Sequence, residues 1–250
     1  MSSSISKPDR ATWLKGPAAD CCPAPSTATR AWRLVLLGAP GVGKGTQAEL
    51  LCTKLGACHL STGDVFRAAK TLADKDRSPA MTAALDYMKR GDLVPDATVL
   101  AMVTERVECL RCAGGFLLDG FPRTVAQAEA LEKLLTDNKL GLDAVLNYEL
   151  PLEEVVARLS GRRTCPNCKA VYHVTGRPPK AEGVCDACGG KLMQREDDRP
   201  ESIRVRMHAY ERSTSPLTEF YTKRKLLVSV TASGSPEEIF QRTMRMLSKA

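Results

Sequence analysis

The chain has 250 residues, 43% hydrophobic and 26% charged, enough to bury one sizeable core in one large domain or a domain with inserts. Its longest apolar run, Val99 to Val103, falls far short of the ~20 residues that cross a bilayer, so no membrane partner is expected. The net charge of +7 suits ligands with several phosphates as well as nucleic acid, but the basic residues are interspersed with acidic ones and form no long block, which argues against nucleic acid.

Residues 1–30 contain Ser2 to Ser4, four prolines and scattered Lys and Arg without hydrophobic periodicity, and are expected to form a disordered N-terminal extension. Their weakly basic, serine-containing character is shared with organelle transit peptides. Asp9, Asp20 and the missing amphipathic pattern oppose that reading, so a cytoplasmic address is expected, with a mitochondrion or other organelle as the alternative. The vicinal Cys21 and Cys22 suggest no role.

From Trp32 onward, short apolar runs alternate with helical patterns, which predicts a parallel sheet with crossover helices over residues 31–250. Predicted strands are Arg33 to Leu37, Ala57 to Leu60, Phe116 to Leu118, Ala144 to Leu150 and Leu226 to Thr231. Ala48, Leu51, Cys52 and Leu55 recur at helical spacing before Gly56. Thr62 to Arg90 is helical in pattern, with a start at Ser78-Pro79, and interrupts the alternation as an insert. Cys109 and Cys112 lie within a helical pattern with Val103, Val107 and Leu110; like Cys52 and Cys58, they are expected to be small buried apolar residues. Glu153 to Ser160 reads as a helix. Residues 162–199 are rich in Cys, Gly, Pro and charge, with a strand-like Ala170 to Val174, and form a second insert. Ser235-Pro236-Glu237-Glu238 opens the last helix with a cap, a first-turn proline and a capping-box glutamate.

Two motifs carry chemistry. The first strand leads directly into Gly38-Ala39-Pro40-Gly41-Val42-Gly43-Lys44-Gly45-Thr46 and then into a helix. Glycines let the backbone fold around an anion, the helix N-terminus attracts it, and Lys44 adds a full charge at the outer phosphates. The hydroxyl residue comes one place later than in the general phosphate-loop motif, because Gly45 precedes Thr46. The second motif is Cys165-x2-Cys168-x16-Cys185-x2-Cys188, a spacing that suits a tetrahedral structural Zn²⁺; disulfides are the alternative. Four protein sulfurs would leave no open position for water, so such a metal would be structural. Only Val171, Tyr172, Val174, Val184 and Leu192 offer this insert an apolar core. A zinc ribbon can also bind nucleic acid, but Tyr172 is the only aromatic here apart from His173.

Gly38 to Thr46 resembles the phosphate loop of the adenylate kinase family, G-x-P-G-x-G-K-G-T, without a gap. The resemblance extends through Leu60 to Asp64 with Arg67, Gly91 to Asp96, and Leu118 to Thr124 with Gln127. It continues through Arg162-Arg163 with Val171 to Val174, and Gln194 to Asp198 with Arg206. It implies a three-layer α/β phosphate-loop fold with a five-stranded parallel sheet, an NMP-binding insert over 61–94 and a long zinc-bearing lid over 162–199. The implied reaction is transfer of the terminal phosphoryl group of Mg-ATP to AMP, giving two ADP, by a monomer.

The same resemblance implies the site. Gly41, Val42, Gly43, Lys44, Gly45 and Thr46 would wrap the ATP phosphates, and Arg158, Arg162, Val171, Tyr172 and Ser235 would complete the donor site. Thr62, Gly63, Arg67, Val94, Gly120, Phe121, Pro122, Arg123 and Gln127 would hold AMP, joined by Arg195 and Arg206 on closure. Lys44, Arg123, Arg162, Arg195 and Arg206 would be the catalytic cations, and Asp119 would orient water around Mg²⁺. Asp197 and Asp198 would anchor the arginines or serve only as structural partners. Asp92 stands where many relatives have lysine and is given no role. A GTP-using AMP kinase shares nearly every block, and a nucleotide-binding switch would lack the Thr62, Arg67, Arg123 and Gln127 set.

Overall fold

The computed structural model describes residues 30–63, 65, 82, 84–87, 94–104, 110–111 and 114–249. Strand β1 (Trp32–Gly38) leads into α1 (Lys44–Leu55) and β2 (Cys58–Ser61). Then come α2 (Asp96–Thr104), β3 (Gly115–Asp119), α3 (Val125–Asp137), β4 (Ala144–Glu149) and α4 (Leu152–Gly161). A small excursion holds β5 (Arg162–Thr164) and β6 (Val171–His173) before α5 (Pro200–Ala209), α6 (Pro216–Lys223), β7 (Leu227–Thr231) and α7 (Pro236–Leu247) close the chain.

Five strands form one parallel sheet in the order β2-β3-β1-β4-β7, with β1 at its centre. A strand covered on both faces needs an unbroken apolar run rather than alternation. Leu34 to Leu37 supply it, and all four are at most 3% exposed. Each face has its own core: Val35, Leu37, Phe116 and Leu118 pack with Leu131 and Leu217 on one side, and Leu34, Leu36 and Leu117 pack with Leu51, Leu159 and Ile239 on the other. Cys52 and Cys58 are buried in these cores.

Local signals set the helix ends. Gly43 (φ +100°) and Gly56 (φ +67°) flank α1, and the Gly56 N–H donates to the Cys52 carbonyl. Ser235 and Glu238 make the reciprocal capping box of α7 behind a first-turn proline. Thr124 caps α3 by accepting from the Gln127 N–H.

The five strands agree with the sequence reading to within one residue at each end, and β6 occupies the middle of Ala170 to Val174. Described residues of the first insert (62, 63, 65, 82 and 84–87) are helical. Its start at Ser78-Pro79, Cys109, Cys112 and residues 1–29 lie outside the described residues. No helix among the described residues is long and apolar enough to cross a membrane.

In the second insert, β5 and β6 pair antiparallel, with Arg163 opposite Tyr172. Its core is Ala170, Tyr172 and Leu192 with Cys165 and Cys185. The expectation that Val174 and Val184 help to fill it fails: they are 48% and 42% exposed. A two-stranded ribbon of such short strands has too little inner face to cover them.

Candidate active site

The chain leaves β1 at the edge of a cavity of about 610 Å³, where the central strand is flanked by β3 on one side and β4 on the other. Clefts beyond the carboxyl ends of parallel strands, where the connections diverge, are the usual ligand sites of such sheets. The phosphate loop keeps close to the core there. Gly41 has φ +89°, and a Cβ on it would lie 2.7 Å from Leu159 Cγ of α4, so both backbone conformation and space favour glycine. Gly41, Gly43, Lys44, Gly45 and Thr46 line the cavity. Val42 does not: its side chain is fully buried in the core, and its carbonyl accepts from Arg158 Nη1 at 3.3 Å.

Lys44 Nζ donates to the carbonyls of Gly38 (2.6 Å) and Ala39 (2.9 Å). Burial pulls its pKa from 10.5 down to about 8, with Asp119 acting against the shift and Arg123, Arg206 and Arg162 adding to it. One ammonium thus senses a carboxylate and three guanidiniums brought from β3, the loop after it, α5 and the foot of the ribbon.

Asp198 organises the far wall. It is fully buried and receives both Arg162 Nε (2.7 Å) and Nη2 (2.5 Å), while Arg206 Nη1 reaches it at 3.2 Å and also donates to the Asp197 carbonyl at 2.7 Å. Asp197 meets Arg206 through its carboxylate at 3.2 Å. Both acids therefore hold arginines in place. Arg195 Nε donates to Thr164 Oγ1 at 3.0 Å and shares the cavity wall with Arg123, Arg162 and Arg206.

Other predicted residues divide into two groups. Arg158, Val171, Tyr172 and Ser235 line the cavity with Gly63, Asp119, Gly120, Pro122 and Arg123. Thr62, Val94, Phe121 and Gln127 are buried and are not among the lining residues. Thr62 donates to the Gly120 carbonyl at 3.0 Å. The Gln127 amide is oriented twice, donating to Asp96 Oδ1 at 2.6 Å and accepting the Arg123 N–H at 2.7 Å. Arg67 lies outside the described residues.

Several participants carried no local sequence signal. Gln47 Nε2 donates to the carbonyl of Pro236, the first residue of α7, at 2.8 Å and ties α1 to that helix; the predicted Arg158 adds a tie that the sequence did not show, donating through Nη2 to the Ala232 carbonyl at 2.9 Å. Arg177 and His173 add a cation and an imidazole to the ribbon's cavity face. Thr214, in a π-helical turn after α5, donates to the Arg123 carbonyl at 2.9 Å. His59 is nearly buried, with Nε2 3.7 Å from Asp119 Oδ2.

Away from the cavity's phosphate-loop side, the ribbon gathers Cys165, Cys168, Cys185 and Cys188 so that their four sulfurs lie within 4.8 Å of one another. The closest pairs, Cys165–Cys188 and Cys168–Cys185, are 3.5 Å apart, well beyond the ~2.05 Å of a disulfide. Such a set can hold one tetrahedral metal ion.

Lys44, Arg123, Arg162, Arg195 and Arg206 all line this strand-end cleft, and with the family relationships below they define a phosphate-loop phosphotransferase of the nucleoside-monophosphate kinase class. The adenylate kinase family profile matches residues 36–226. The adenylate kinase of Carboxydothermus hydrogenoformans is 50% identical over 217 residues, covering 87% of this chain and 100% of that protein. Those of Thermodesulfovibrio yellowstonii and Streptomyces avermitilis are 49% and 48% identical, over 87% of this chain and 99% and 97% of theirs. The chain belongs to the adenylate kinase family.

Proposed function

We propose that the protein catalyses Mg·ATP + AMP ⇌ 2 ADP, with the donor nucleotide on the phosphate-loop side and AMP toward Gly63, Gly120 and Arg123. The observation that carries this reading is the convergence of Lys44 with Arg123, Arg162 and Arg206 on one cavity. A lysine and several fixed guanidinium forks on two sides of a cleft match the charge spread over a transferring phosphoryl group.

The roles combine position with the family resemblance, and that of Arg67 rests on the resemblance alone. Backbone N–H groups from Gly41 to Thr46 would wrap the donor phosphates, and Lys44 would follow charge onto the group in transit. Arg123 would grip the AMP phosphate; Thr62, Arg67, Val94, Phe121 and Gln127 would form the rest of the acceptor site. Arg162, Arg195 and Arg206 would close over both phosphate chains, the first and last held by Asp198. No general base is required, because the attacking phosphate oxygen is already ionised at neutral pH. What the side chains supply is alignment, charge neutralisation and exclusion of water, which would otherwise accept the phosphoryl group. Asp119 ends β3 in the cavity wall, and a carboxylate there suits water-mediated retention of the Mg²⁺ that travels with ATP; the ion would neutralise charge on the phosphates.

The four thiols fit Zn²⁺ in a closed, non-catalytic site. The Tyr172 hydroxyl lies 3.5 Å from Cys185 Sγ, a polar contact of the kind that orients a metal ligand. Zinc would make the ribbon one rigid flap. The basic residues are interspersed with acidic ones, which opposes a nucleic-acid partner, and the protein would act as a monomer.

The test is a donor and acceptor panel: ATP, GTP and ITP against AMP, CMP and UMP, with ADP formation followed. ATP with AMP should be the fastest pair. Faster turnover with GTP would replace the donor assignment, and no diphosphate from any pair would overturn the reading.

A further inference from the structure

Tyr172 belongs to two sites at once. It is one of the residues lining the cavity, with Val171, His173 and Arg177, and the Arg177 guanidinium carbon lies 5.9 Å from its ring centroid. Its hydroxyl points into the cysteine cluster, accepting the Asp186 N–H at 2.9 Å and lying 3.5 Å from Cys185 Sγ. The residue is 6% exposed and forms part of the ribbon's five-residue core.

Donor and acceptor valences fix the direction of the second bond. The Asp186 N–H uses a lone pair of the phenol oxygen and leaves its proton free. A metal-bound thiolate has no proton, so in the loaded cluster Tyr172 is the donor and Cys185 the acceptor. Among the described residues, Tyr172 is the one side chain other than cysteine that is hydrogen bonded to this sulfur. Hydrogen bonds of this outer kind orient metal ligands, and losing one typically costs ~10–100-fold in metal affinity.

We propose that Tyr172 is a positioning residue that couples metal loading of the four-cysteine cluster to occupation of the donor end of the cavity. A closed cluster holds the phenol oxygen and therefore the ring of this lining residue. A nucleotide seated against that ring holds the hydroxyl on the sulfur. Coupling between two binding events is reciprocal, so the factor by which nucleotide tightens metal equals the factor by which metal tightens nucleotide. The inference rests on the donor-site and zinc readings proposed above.

The test uses the full chain loaded with Zn²⁺. Zinc transfer to an excess of a chromophoric chelator is timed with and without a non-hydrolysable ATP analogue and excess Mg²⁺, in the wild type and in Tyr172→Phe. In the wild type the analogue should slow release by about fivefold or more. Tyr172→Phe should release zinc about tenfold faster without nucleotide, and the analogue should no longer slow it. Wild-type release indifferent to the analogue overturns the proposal. So does a Tyr172→Phe protein that behaves as wild type. Calorimetric titration of the wild type with the analogue separates the two levels: no binding there means that the donor-site reading has failed, whereas binding without an effect on zinc means that the coupling has failed. Zinc content before chelation checks the metal reading in the same sample.

Discussion

The sheet and the ribbon solve the same problem, holding charged groups still around a cavity, by opposite means. On the sheet side, Asp119 ends β3, Arg123 lies in the loop after it and Lys44 opens α1 beyond β1; Leu34, Val35, Phe116 and Leu118 within those strands are completely buried, so apolar packing on both faces anchors the site. On the ribbon side, three-residue strands enclose a core of five residues, two of them cysteines, and the arginines depend on polar ties such as Arg162 to Asp198. A region built like the first should resist loss of any one contact. One built like the second should fail when a single buried anion or a metal ion is removed.

The largest expected effect lies on the sheet side and concerns rate alone. Lys44→Ala removes a cation aimed into the cavity without opening the core; kcat should fall about 10²–10³-fold while the unfolding midpoint stays close to wild type. A comparable loss of stability would show that the loop is structural and blur the contrast between regions. Next comes Asp198→Asn, which leaves one oxygen where Arg162 now meets two and removes a fully buried negative charge between two arginines. Denaturant unfolding should reveal a loss of about 3 kcal/mol. Near-wild-type stability would mean that water replaces the carboxylate.

Removal of metal sharpens the comparison further. A chelator should lower Tm by about 5 °C, corresponding to roughly 2 kcal/mol in a chain of this length. Hydrogen exchange should locate the loss in residues 162–199 and leave β1, β3 and β4 protected. Equal deprotection of the sheet would contradict separate modes of support.

The smallest effect is in pH. The Lys44 pKa stands below its ordinary value, at about 8, chiefly through burial, so the folded protein releases this proton before the unfolded chain does. This one group therefore lets stability rise with pH between about 8 and 10.5, while the free enzyme loses a phosphate-attracting charge over the same interval. The profile of kcat/KM for ATP should decline above pH 8, at most about tenfold per unit, and a profile flat to pH 10 would refute the assignment.

The two regions also differed in how far sequence could be read. The sheet was legible because a doubly covered parallel strand must be a continuous apolar run, and because glycines, caps and a lysine mark the loop locally. In the ribbon the cysteine spacing announced four converging sulfurs, yet the same reading buried Val174 and Val184, which the narrow two-stranded layer leaves exposed. Contacts between distant segments left no trace in periodicity. Gln47 with Pro236, Thr214 with Arg123 and the placement of Arg177 beside Tyr172 depend on how separate elements dock. Val42 shows the converse: it sits inside a phosphate-loop motif, but packing turns its side chain away from the cavity.

The central claim is direct passage of a phosphoryl group between two nucleotides gripped in one cleft. The most direct measurement is to mix the protein with ATP labelled in its terminal phosphate, AMP and Mg²⁺, and to locate the label after one turnover. It should appear as the outer phosphate of ADP formed from AMP, with little in inorganic phosphate. Label released mainly as inorganic phosphate, with AMP unchanged, would contradict the account.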